Sequence, residues 1–102
     1  MEQVNLREAH YPGVHCNFAI EQRSAGVIVI KILGSDVGEL GKAPMRTVAA
    51  WLEDCASVHL FIDARHVRGA SIDVSCDWAQ WLGRHRAKWR MITMLTGSRF
   101  IQ

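Results

Sequence analysis

Between positions 14 and 21 the apolar residues are Val14, Cys16, Phe18 and Ile20, and His15, Asn17 and Glu21 between them are polar. That period of two predicts a strand with one buried face. A short turn over 22–26 follows, and then a β-branched run over 27–33 that is apolar on both faces. The pair reads as a hairpin whose second strand is central in a sheet. Residues 34–38 break this strand, and Pro44 suits the first turn of a helix whose Met45, Val48, Leu52 and Cys55 share one face. The stretch 58–64 is apolar apart from His59 and Asp63, as expected of a strand covered on both sides and placed at the centre of the core.

After that strand, 65–70 reads as an open loop. Ser71 or Asp73 can cap a second helix, in which Val74, Trp78, Trp81, Leu82 and His85 recur at helical spacing. Trp78 and Leu82 are predicted to be core, with Trp81 at its margin. Residues 88–96 form a fourth strand, with Met91, Thr93 and Leu95 on one face and Ile92 and Met94 on the other. The remainder, 97–102, looks like a helix that has only begun. The predicted fold is α/β, a mixed β-β-α-β-α-β sheet with its helices mainly on one face and its final helix missing or cut short. Helical crossovers make parallel neighbours. The chain is expected to be one domain over 1–102, with 1–13 as an N-terminal extension. The other sheet face would be open, or covered by that extension or by a partner.

Composition narrows the setting more than the chemistry. With 102 residues, 49% hydrophobic and 22% charged, the chain can bury one core and has no signature of disorder. Cys16, Cys55 and Cys76 are odd in number, share no CxxC spacing and sit at core-like positions, which suits structural thiols in a reducing compartment. With no apolar run long enough to span a bilayer, a cytoplasmic protein with no membrane partner is expected. The net charge of +2 conceals an asymmetry: 1–64 carries five Lys/Arg against eight Asp/Glu, and 65–102 carries seven against two.

The order of elements, the hairpin ending at Gly34, Asp63 near the end of its strand, Trp81-Leu82 on the next helix and the run Leu95-Thr96-Gly97-Ser98-Arg99 resemble the STAS domain. That family is named for sulfate transporters and anti-sigma factor antagonists, and the chain is most similar to its bacterial single-domain relatives, over residues 14–102. The resemblance implies a regulatory, protein-binding role. In the antagonists, an Asp-Ser pair follows the loop after the strand Asp, and its Ser is phosphorylated at a helix N-terminus. Aligned on Asp63, that pair falls on Ser71-Ile72, so Ile72, which has no hydroxyl, stands at the phosphoacceptor position. Family domains also continue into a further helix packed on the sheet.

The leading expectation is a non-catalytic regulatory or interaction module without a cofactor. Its partner is another protein, or a second copy docked through an uncovered sheet or helix surface. Its surface would comprise Asp63, Arg65, His66, Arg68, Ser71, Asp73 and Ser75, where backbone N–H groups and two arginines can also attract a small anion. Ser71 and Ser75 are the candidate phosphoacceptors, although a capping role suits Ser71 equally. A second reading is nucleic-acid binding by Arg84, Arg86, Lys88 and Arg90 beside Trp89. Against it, Arg84 and Arg86 can complement a helix C-terminus, and Lys88 and Arg90 can guard an edge strand from aggregation. A third reading, a small enzyme, has only the loop and scattered His and Cys behind it. His59, His66 and Cys76 lack metal-ligand spacing, so no metal is expected.

Overall fold

The computed structural model describes residues 6–97. Five strands and two helices run in the order β1 (Arg7–Tyr11), β2 (Cys16–Ser24), β3 (Val27–Asp36), α1 (Ala43–Leu52), β4 (Val58–Ala70), α2 (Ile72–Arg84) and β5 (Trp89–Thr96). A short 3-10 turn over Arg86–Lys88 precedes β5. The α/β class and the mixed sheet agree with the sequence expectation. β1, β2 and β3 pair antiparallel, β3, β4 and β5 pair parallel, and the order across the sheet is β1-β2-β3-β4-β5.

Alternation along the strands divides the sheet into two unlike faces. Phe18 and Ile20 of β2, Ile28 and Ile30 of β3, and Leu60 and Ile62 of β4 join Met45, Val48 and Trp51 of α1 and Trp81 of α2 in one core cluster. Both helices therefore cover the same face. Pro44 lies in the first turn of α1, as its missing N–H allows. Cys55, one turn beyond that helix, is still buried and its thiol donates to the Trp51 carbonyl at 3.4 Å.

Several expectations fail for identifiable reasons. Within the expected N-terminal extension, Arg7–Tyr11 is an edge strand in register with β2. Its Arg7, Ala9 and Tyr11 face the helices, where the Tyr11 hydroxyl meets Thr47 Oγ1 and the Arg7 guanidinium lies 5.3 Å from the Trp51 ring centroid. With that segment used as a strand, it does not cover the opposite face. Val14 belongs to the turn before β2 and is 88% exposed. The predicted loop over 65–70 is instead the outer half of β4. β3 runs on through Gly34 and Asp36 and offers His66, Val67, Gly69 and Ala70 a paired neighbour.

The tryptophans of α2 exchange roles. Trp81 is 5% exposed, packed against Trp78 and Trp89 at 5.6 Å between centroids and against His85 at 5.0 Å. Trp78, stacked on Phe18 at 5.9 Å, and Leu82 are only half-buried at the edge of the core. Cys76 is exposed, because α2 presents that side to water, whereas Cys16 and Cys55 are buried. The expectation of a helix starting at 97 concerns residues that, beyond Gly97, lie outside the described ones.

Candidate functional site

The end of the sheet where β3 and β4 terminate holds most of the predicted surface, and Asp36 organises it. This residue is buried; its side chain accepts from the Gly38 N–H at 3.1 Å and its carbonyl accepts from the Ser71 N–H at 3.1 Å. The turn after β3 and the start of α2 are thus fixed to one residue. Ser71, not Asp73, is the helix cap: its Oγ accepts from the Val74 N–H at 3.1 Å. Asp73, Ser75, His66 and Arg68 are exposed around this platform, and Ile72, the first helical residue, is 81% exposed.

Asp63 and Arg65 stand apart from that platform. The Arg65 guanidinium donates to both carboxylate oxygens of Asp63 at 2.9 Å, and the Arg65 N–H adds a 3.3 Å bond. Hydrogen bonding from the Arg65 side chain, partly opposed by desolvation, lowers the Asp63 pKa to about 2. The same pairing raises that of Arg65. One of the two arginines expected to draw an anion is therefore already matched by an internal carboxylate.

A backbone anion cradle does exist, in the turn between β1 and β2. The N–H groups of Val14, His15 and Cys16 converge on the Glu39 carboxylate at 3.0, 2.6 and 2.7 Å. Successive amides of this kind form an anion nest, and here the chain fills it with its own side chain. Desolvation would raise the Glu39 pKa, but the three amides and nearby His15 outweigh it and the net shift is downward. No periodicity or motif marks Glu39; only a turn carrying three free amides opposite it could have done so. Beside it, burial, Asp36 and Glu39 push the Cys16 thiol up to about 11, leaving it a neutral structural group.

The downward shifts fix a sign for acid stability. Glu39 and Asp63 release protons more readily folded than unfolded, so each stabilises the fold above its unfolded pKa and loses that contribution as pH falls through its folded value. Glu39→Gln is expected to unfold at lower urea than the native chain at pH 7. The two midpoints should converge as pH is taken below the ordinary glutamate range. A gap independent of pH would mean that Glu39 acts by shape alone.

The face without helices is a shallow concavity of about 680 Å³. Register aligns His10, Ala19, Lys31, Asp63 and Leu95 in one row across all five strands. Glu21 binds Arg23 at 2.9 Å and Lys31 at 3.6 Å within this face. The described residues lining it include no serine, threonine, cysteine or tyrosine. His59 stacks on Phe61 at 4.0 Å and shares a 2.8 Å hydrogen bond with Thr93. Among the described residues, no three His, Cys, Asp or Glu side chains gather as a metal site would require.

The basic segment does not form one stripe. Arg84 ends α2 and Arg86 is exposed in the following turn. Lys88 Nζ instead donates to the Cys55 carbonyl at 2.6 Å. The Arg90 guanidinium lies against the β2–β3 turn, where a Cβ on Gly26 would come within 3.5 Å of it. Of the two cations expected to guard the β5 edge, Lys88 is thus held by a backbone carbonyl, and Arg90 reaches toward the β2–β3 turn. No helix among the described residues is long and apolar enough to cross a membrane.

Compared with known proteins, the chain matches no family model, no curated protein and no solved structure.

Proposed function

We propose that the chain is a non-catalytic, STAS-like regulatory module that binds another protein at the α2 end of its sheet, in the cytoplasm of a bacterial cell. The observation that carries this reading is the pair of exposed apolar side chains flanking the Asp36–Ser71 hydrogen bond. Ile72 is 81% exposed and Val37 is 57% exposed. A helix start ordinarily carries polar residues, and these two are held outward on a platform tied by buried Asp36. Apolar side chains exposed side by side in this way are suited to burial against a partner.

A protein surface is favoured over a small-anion site because the local polar groups are committed. The Ser71 hydroxyl caps α2, Arg65 is paired with Asp63, and the nearby backbone cradle holds Glu39. The same commitments weigh against a phosphoserine switch at Ser71 and leave Ser75 as the exposed hydroxyl on α2. The buried free thiols of Cys16 and Cys55 support a reducing compartment.

The test is affinity capture from the cells that express the chain, with native protein, Ile72→Asp and Ser71→Ala compared. Ser71→Ala is expected to lower stability by about 1 kcal/mol through loss of the cap, yet to keep the partner. Ile72→Asp, which leaves the cap and the core untouched, is expected to lose it. Equal recovery of every partner by native protein and Ile72→Asp would end the proposal.

A further inference from the structure

β5 is an edge strand with one neighbour, β4, and its other side faces no described strand. It is apolar on both faces: Met91 is 55% exposed, Ile92 40%, Met94 55% and Leu95 39%. An edge of this composition invites pairing unless charges, prolines or bulges block it. The opposite edge is blocked, since β1 has five residues and carries a Glu8–His10 contact at 3.5 Å. At β5 the flanking cations do not serve, because Lys88 is bound to the Cys55 carbonyl and Arg90 is turned toward Gly26.

The sequence of β5 specifies what would cover it. Around Thr93, Met-Ile-Thr-Met-Leu is apolar-apolar-polar-apolar-apolar in both directions. If two copies pair antiparallel about a two-fold axis through Thr93, Met91 faces Leu95 on the open side and Ile92 faces Met94 on the helix side. The register shift between Trp89 and Met91 takes Arg90 out of the regular ladder, so the paired stretch from Met91 onward carries no charge. Shifting the axis by one residue places Met91 opposite Thr93 or Thr96 opposite Ile92. The Thr93-centred register sets Met91, Ile92, Met94 and Leu95 each against another apolar side chain while keeping each on its own face.

We infer that β5 is a self-complementary docking edge, at which a second copy of this chain extends the sheet across a two-fold axis at Thr93. A symmetric contact of this kind uses the same patch on both subunits. It does not use Ile72 or the α2 end of the sheet, so it stands or falls separately from the partner surface proposed above.

The native chain is expected to sediment as a dimer at micromolar concentration. Met91→Lys with Leu95→Lys places like charges directly opposite across the axis and should weaken the dimer more than about tenfold. Met91→Lys with Leu95→Glu places opposite charges there and should keep it, provided both variants retain the native circular dichroism. Should the doubly basic variant fail to fold, a cross-link decides. In a Cys76→Ser background Thr93→Cys brings two thiols to one cross-strand pair, with Cα atoms about 4.5–5.5 Å apart, within disulfide reach. Thr96→Cys leaves its two thiols about 20 Å apart. Rapid intermolecular oxidation at 93 and none at 96 is the expected result. A native monomer at high micromolar concentration, equal cross-linking at both positions, or no difference between the two charge variants would overturn the inference.

Discussion

Trp81→Ala is expected to destabilise the fold by about 3–5 kcal/mol, a large fraction of the roughly 5–15 kcal/mol that holds a domain together. The ring is 5% exposed and touches Trp78, His85 and Trp89, so its removal opens a cavity between α2 and β5 that none of these can fill without leaving its own contacts. Trp89 is further constrained by its indole N–H, which donates to the Leu82 carbonyl at 2.9 Å. Trp78→Ala should cost less, because that ring is half-buried. Urea unfolding of the two variants followed by circular dichroism gives the comparison. A greater loss for Trp78→Ala would restore the order that helical spacing suggests.

Gly34→Ala is expected to cost about 2–4 kcal/mol, although the added group is a single methyl. Gly34 has φ of 91°, a conformation that a Cβ strains, and the Cβ would press directly on the backbone carbonyl of His15. That carbonyl also accepts from the Ser35 N–H at 2.9 Å, so relieving the clash loosens the bond that holds the end of β3 to the turn before β2. Hydrogen exchange at Ser35 should accelerate in the variant together with the drop in the urea midpoint. A midpoint within the error of the native value would show that the backbone relaxes there at no cost.

The legible part of this fold was the part where burial and period coincide. Cys16, Phe18 and Ile20 alternate cleanly, 27–30 is apolar on both faces, and Ser71 precedes an amphipathic run; each signal led to the right element. Where burial is shallow the period disappears. β1 turns Arg7, Ala9 and Tyr11 inward, a set with a charge at its start and only a small and an amphipathic side chain after it, because it packs at the margin of the core and is only partly buried. The outer half of β4 carries Arg65, His66 and Arg68 and reads as loop; it is a strand because β3 lies beside it to Asp36.

The candidate site was legible to a similar depth. Ser71 and Ile72 could be placed at a helix start from their position after the strand, and the structure adds the exposed Val37 and the buried Asp36 beneath them. Glu39 and the turn it holds could not be read, since they are a contact between two irregular segments more than twenty positions apart. Nor does a sequence state where a long cation points, which is why Lys88 and Arg90 look like edge guards until the directions of their side chains are seen.

The order of strands across the sheet is also their order along the chain. Each strand therefore finds its hydrogen-bonding neighbour already made, and no strand has to be inserted between two earlier ones. During synthesis the three-stranded antiparallel unit, residues 7–36, leaves the ribosome before α1 exists to cover it, and β4 and β5 then add in turn to a growing margin. Among the described strands β5 is made last, so Met91, Ile92, Met94 and Leu95 emerge only after the strands whose margin they extend.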